Sequence, residues 1–202
     1  MSIVDVFSDL VIGLATFLFW RMFTAKPAPS GGAPAAAVPA AAAAAPAASE
    51  SRTLPARLDA VWQATKLAGA EQFMAGAREL YEALLPAFAA GDIAAWRSFI
   101  AADVYESFLA AIAERNLRGE TAELIFIGIE SAALVDARLS ARAAEIAVRF
   151  VGLVVSVTRD GSGKPVAGHP TAVVRTTATW TFEHALDVPG ANWMLVATEP
   201  EE

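Results

Sequence analysis

Residues 142–165 read RAAEIAVRFVGLVVSVTRDGSGKP. Side chains on a strand point alternately to its two faces. Here Glu145 and Arg149 fall on one face, and Ile146, Val148 and Phe150 on the other. Arg142 to Arg159 therefore reads as one long strand with a buried face. Asp160-Gly161-Ser162-Gly163 follows as a hairpin turn, which forces an antiparallel neighbour. Working outward, Ala122 to Asp136 reads as the strand before it, with Leu124 and Phe126 ahead of an interrupting Gly128-Ile129 pair. Val173 to His184 and Trp193 to Thr198 read as two strands after it, joined by the turn-like Asp187-Val188-Pro189-Gly190.

Upstream the period changes from two to that of a helix. Phe73, Ala77, Leu80, Tyr81, Leu84 and Phe88 form one apolar stripe over Phe73 to Ala90. Gly91 closes that helix, and Asp92 is placed to cap a second over Ile93 to Ile100. Asp103 is placed to cap a third, Val104 to Arg118, with Tyr105, Phe108 and Ile112 facing inward and Gly119 as its stop. Helices followed by an antiparallel meander define an α+β fold. A strongly curved sheet cupping a helix leaves a cone-like apolar pocket. Phe73, Tyr81, Phe88, Tyr105, Phe108 and Ile112 from the helices are candidates to line it and bind a partner. Phe126, Phe150, Trp180 and Trp193 from the strands join them. Both tyrosines are expected to place their hydroxyls at the rim.

The chain has 202 residues, enough for one ordinary domain with extensions. Its net charge is −7, with 15 Lys and Arg against 22 Asp and Glu. Phosphate recognition needs clustered bases, so nucleic acid is excluded as the main partner. There is no Cys, which excludes disulfides, thiolate catalysis and Cys-based metal sites. No catalytic constellation, metal-ligand spacing or cofactor motif stands out. His169, before Pro170, and His184, at a strand end, stand alone as surface or hairpin residues. Gly161-Ser162-Gly163-Lys164-Pro165 fails the phosphate-loop pattern, because Pro165 replaces the required Ser/Thr and Thr158 stands at the first Gly. It also joins strands instead of opening a helix.

Residues 1–23 carry a mostly apolar run, Ile3 to Phe23, close to the ~20 residues that cross ~30 Å of hydrocarbon. Leu10, Leu14, Phe17, Trp20 and Arg21 are its candidate membrane contacts. Asp5 and Asp9 share one face near the amino end, and Asp9 must snorkel or the span sits off-centre. A signal peptide would need a basic stretch before the run, and a transit peptide would be Arg-rich and acid-poor. A buried core helix is the remaining alternative to a span. Arg21 and Lys26 follow the run and no base precedes it, which favours the amino terminus outside and the globular part in the cytoplasm. Residues 24–53 are Ala/Pro-rich and read as a disordered, semi-stiff spacer. Residues 54–70 form an amphipathic helical segment. Leu58 and Trp62 on its apolar face either pack on the domain or contact a membrane or partner. Residues 71–202 form the α+β domain.

Four stretches carry a family resemblance: FMAGARELYEALLPAFAAGD (Phe73 to Asp92), VYESFLAAIAERNLRGE (Val104 to Glu120), SVTRDGSGKPVAGHP (Ser156 to Pro170) and TWTFEHAL…NWMLVAT (Thr179 to Thr198). In order, spacing and wording they resemble the Tim44-like domain family, over nearly the whole domain. The resemblance implies helices on a curved antiparallel sheet, similar to the cone of nuclear transport factor two, with a large apolar pocket. It also implies a place at the membrane. The mitochondrial relative tethers a DnaK-type chaperone to the protein-import channel at the inner membrane. Bacterial members combine an anchor, a linker and this domain. Where the mitochondrial form carries a long chaperone-binding region, this sequence has its apolar segment and linker.

The expectation is a single-pass protein of the bacterial inner membrane, not an enzyme. It would act as an adaptor that binds a protein segment or lipid, with a translocation component or chaperone as partner. The alternative is a small-molecule-binding or isomerase-like enzyme on the same cone, which would need a tyrosine beside a buried carboxylate. A structural membrane component that oligomerises through the first helix is a third reading.

Overall fold

The central strand of the meander explains why the chain forms a single sheet with one buried face. In the structure, a computed structural model, residues 53–66 and 69–201 are described. The expected membrane span at 1–23, with Leu10, Leu14, Phe17, Trp20 and Arg21, and the linker up to residue 52 lie outside them. The described chain runs α1 (Leu54–Thr65), α2 (Ala70–Ala90), a 3-10 helix (Ala94–Phe99), α3 (Ala102–Leu117), then β1 (Thr121–Leu139), β2 (Ala143–Arg159), β3 (Pro165–Ala185) and β4 (Met194–Glu201). The strands pair antiparallel in the order β1-β2-β3-β4, and the sheet is not closed. The fold is α+β. Among the described residues no helix is long and apolar enough to cross a membrane.

β2 behaves as its sequence requires. Ala144, Ile146, Val148 and Phe150 are fully buried on the face turned to the helices. β1 is less regular. Its core-packed residues are Leu124, Phe126, Ile129, Ala132, Leu134, Ala137 and Leu139, so the inward step is sometimes two and sometimes three. Each step of three coincides with a register shift, between Phe126 and Gly128, Ile129 and Ser131, and Leu134 and Asp136. A bulge inserts one unpaired residue and re-phases the alternation. The Gly128-Ile129 interruption is thus a bulged stretch of one continuous strand. The bulged residues Ile127, Glu130 and Val135 are all exposed, and the Glu130 carboxylate meets Arg175 on β3 at 2.9 Å.

The hairpin tip forms as expected. The Asp160 carboxylate accepts from the Ser162 hydroxyl (2.6 Å), the Ser162 N–H (2.9 Å) and the Lys164 N–H (3.0 Å). Those bonds hold its pKa below the usual carboxylate range, the Ser162 side chain contributing most. β3 begins earlier than its apolar pattern suggests, at Pro165, so His169 lies in a strand and not in a loop. At Gly168 (φ +69°) a Cβ would fall 2.1 Å from the Ser156 carbonyl oxygen, so only glycine fits this bulge.

Helix ends differ from expectation in two places. Asp103 is no cap: α3 starts at Ala102 after Ala101, and Asp103 sits in the first turn, where its charge suits the positive end of the helix dipole. Asp92 accepts from the Ala94 N–H at 3.4 Å, but the segment it introduces is a 3-10 helix, and Ile93 and Ile100 at its two ends are buried. Ile100 bridges to Leu195 of β4, and the Ala101 N–H donates to the Leu195 carbonyl at 2.9 Å. This pins the 3-10 helix to the edge of the sheet.

α1 packs on the domain. Val61 is fully buried, and Leu54, Leu58 and Trp62 rest against the core. Arg57 pairs with Asp136 on β1. The choice left open by the amphipathic pattern is decided for these residues: the apolar face is turned to the sheet, where it removes its surface from water.

Candidate functional site

Two aromatic clusters grow from α2. In one, Tyr81 stacks on Phe150 (4.3 Å between centroids, 13° between planes) and meets Trp180 edge-on at 4.8 Å and Phe126 at 6.0 Å. Tyr81 is 1% exposed. Its hydroxyl lies over Gly152, where an added Cβ would stand 2.8 Å from the oxygen, and 3.5 Å from the Thr176 hydroxyl. The expected rim position is therefore wrong for Tyr81: the missing side chain at Gly152 opens a slot that takes the hydroxyl inward. Burial raises its pKa above the ordinary tyrosine value, and the Thr176 contact offsets part of that. Tyr105 is half-buried under the Arg97 guanidinium, 4.8 Å from its ring centroid.

The second cluster is open. Phe73 on α2 packs against Trp193 (4.9 Å), Phe182 (5.5 Å) and Trp62 of α1 (5.8 Å). Beside it is a cleft of about 500 Å³, within the range of ~300–1,000 Å³ typical of ligand sites. Its walls are a stripe of α2 (Gln72, Phe73, Gly76, Ala77, Glu79, Leu80), the 3-10 helix (Trp96, Phe99) and the β3–β4 region (Phe182, Ala191, Asn192, Trp193). Three local structures build it. The i, i+4, i+7 spacing of Gln72, Gly76 and Glu79 puts them on one exposed face of α2. The bridge at Ile100 fixes the segment carrying Trp96 and Phe99. Gly190 (φ +72°) turns the chain so that Ala191 to Trp193 return to the sheet.

Glu79 is the one charged side chain in the lining, and no base pairs with it among the described residues. The cleft is apolar with neutral amides at Gln72 and Asn192 and a carboxylate at Glu79.

Of the residues singled out in the sequence, Phe73 and Trp193 line this cleft. Tyr81, Phe88, Phe108, Ile112, Phe150 and Trp180 are in the buried core, with Phe126 half-buried against it. Phe88 and Phe108 pack together at 5.4 Å between α2 and α3. Tyr105 sits with Arg97 outside the cleft lining. Leu58 and Trp62 pack on the domain. Gly76, Glu79, Trp96 and Phe99 were not singled out as site residues. The signal lay in a glycine inside an apolar-striped helix and in an aromatic pair three residues apart.

The buried polar side chains among the described residues are Thr65, Arg115 and His184; none is a carboxylate. Thr65 donates to the Val61 carbonyl within α1. Arg115 reaches the Phe88 carbonyl at 3.4 Å, near the carboxyl end of α2, where a cation suits the dipole. Burial lowers its pKa, and nearby Glu120 raises it in part again. His184, expected at the surface, faces the core opposite Ala144, 5.4 Å from Trp193, and its Nδ1 has no partner among the described residues. No three potential metal ligands gather among the described residues.

No curated protein matches the sequence. Among solved structures, the chain is similar to the intermembrane-space region of the chloroplast protein ARC6, with a TM-score of 0.42 and 13% identity over 63% of this chain and 94% of that one. The family model of the Tim44-like domain matches residues 56–200, from within α1 to the last strand, and the chain therefore belongs to the Tim44-like domain family.

Proposed function

We propose that this protein is a membrane-anchored adaptor whose domain holds a segment of a partner protein in the α2 cleft. The observation that carries the reading is the cleft itself: an aromatic-walled groove whose single charge among the described residues is Glu79, with no base paired to it there. A peptide that offers an apolar side chain to Phe73, Phe182 and Trp193 and a base to Glu79 is complementary in both respects. An acidic headgroup or fatty acid would bring like charge to Glu79.

Family membership supports the wider role, since the family is related to proteins associated with translocation at membranes. The apolar run at Ile3 to Phe23 is then the anchor and residues 24–53 the spacer that lets the domain search near the bilayer. The bases after the run put the domain on the cytoplasmic side of a bacterial inner membrane. The three bulges in β1 support a strongly bent, cone-like sheet, because each bulge bends its strand. We assign the protein no catalytic step.

A photoreactive amino acid at Phe99, on the cleft wall, tests this in native membranes. Discrete protein adducts are expected from Phe99 and not from Leu117, which is 89% exposed and outside the cleft. Adducts absent, or identical at both positions, overturn the reading. Protease digestion of oriented vesicles tests the topology, and a domain digested only from the periplasmic side reverses it.

A further inference from the structure

Gly76 occupies an interior position of α2, where glycine is the poorest residue after proline because it loses the most backbone freedom. Neither usual reason for a glycine applies. Its backbone is right-handed helical and not in the positive-φ region. A Cβ built on it meets nothing within 4 Å. Gly152 is the contrast, since there a Cβ would collide with Tyr81. The open space over Gly76 belongs to the cleft, with Gln72 and Glu79 one turn away on either side.

We infer that Gly76 is the specificity-determining position of the cleft: it bares the α2 backbone so that the backbone of a bound peptide can cross the helix there. This rests on the cleft being the binding site proposed above. Absence of a side chain at one point of a wall favours a ligand that is bulky at that point, and a peptide main chain is. Once seated across Gly76, such a segment directs one side chain toward Trp193 and Phe182 and the next toward Glu79. An acyl chain is slim along its length and gains little from the gap.

The test uses the full chain in phosphatidylcholine nanodiscs, with empty discs as blank. The probes are a dansylated peptide of alternating Leu and Lys, its Leu/Glu counterpart and a dansylated fatty acid. Binding is read by energy transfer from the cleft tryptophans, and Tm is followed in the same samples. The wild type is expected to bind the Leu/Lys peptide in preference to the other two. Gly76→Leu weakens that binding at least about tenfold, the scale of one well-packed contact. Gly76→Ala weakens it less and raises Tm by roughly 2–6 °C, because alanine favours the helix. A lowered Tm for Gly76→Ala would mean that the fold itself requires glycine, and the inference fails. Undiminished peptide binding by Gly76→Leu also defeats it, while leaving the cleft as a binding site. If no probe binds the wild type, the cleft reading falls and takes this one with it. If the fatty acid binds and Gly76→Leu blocks it, the occupant is lipid and the peptide assignment is overturned.

Discussion

The Tyr81 cluster and the Phe73 cluster are made of the same kinds of side chain and start on the same helix, but one is closed and the other open. Tyr81, Phe150, Trp180 and Phe126 lie between α2 and three neighbouring strands, so every ring has backbone behind it. Phe73 and Phe182 are backed in the same way. Trp96, Phe99 and Trp193, however, hang from a 3-10 helix and a strand connection, and Phe99 is 40% exposed. Each cluster also has its glycine. Gly152 is filled by the Tyr81 hydroxyl, whereas the space over Gly76 is empty. Aromatic content alone does not mark a binding site; what distinguishes one is whether the chain has the elements to cover it.

The sharpest way to break this contrast is truncation. Phe150→Ala should destabilise by about 3–5 kcal/mol in urea unfolding, through lost transfer energy and a cavity. Phe99→Ala should cost under about 1 kcal/mol, since much of the ring is already in water. Similar losses would show that the two clusters are not different in kind. Next comes Gly152→Ala, expected to cost about 1–3 kcal/mol because the Tyr81 ring must move out of its slot. Tyr81→Phe relieves that clash, so the double variant should recover part of the loss, and strict additivity would argue against the slot.

Two smaller effects depend on pH. The Tyr81 hydroxyl ionises later in the folded protein than in the unfolded chain. Its contribution is therefore full below the unfolded value, near pH ~10, and is lost as pH rises through the folded value. Wild type should lose more stability than Tyr81→Phe between pH 9 and 11, measured by denaturant titration (both pH values being about one unit either side of the tyrosine reference). Glu201 shifts the other way: the Thr179 hydroxyl at 2.6 Å, and then Arg149, hold its carboxyl below the usual range. That contribution is present above the unfolded value, near pH ~4, and is lost as pH falls further. Glu201→Gln should flatten the acid side of the Tm profile slightly, and an unchanged profile would show that β4 is not held there.

Much of the fold was legible because its signals are local. The face alternation at Ile146, Val148 and Phe150, the DGSG turn and the stripe from Phe73 to Phe88 each depend on residues near one another in the chain, and the structure has all three. β1 was legible only in part, because bulges are fixed by the partner strand and shift the face without a marked change in composition. Tyr81 was misplaced at the rim because its slot is made by Gly152, 71 positions on (152 − 81) in another element. His184 and Asp103 were misread for related reasons: one is buried by strand pairing and the other is overtaken by a helix that begins two residues earlier than expected, at Ala102.

The cleft lay furthest from the sequence. The chain by itself determined the α+β class, the four strands, the helix over residues 73–90 and the family, because periodicity, turns and wording are properties of the linear order. Tertiary structure alone decided that α1 spends its apolar face on the sheet, that Tyr81 is core, and that Phe73 and Trp193 meet Trp96, Phe99, Gly76 and Glu79 around an opening. Those outcomes depend on which surfaces are covered by elements distant in sequence, and burial is a property of the assembled chain, not of any window within it.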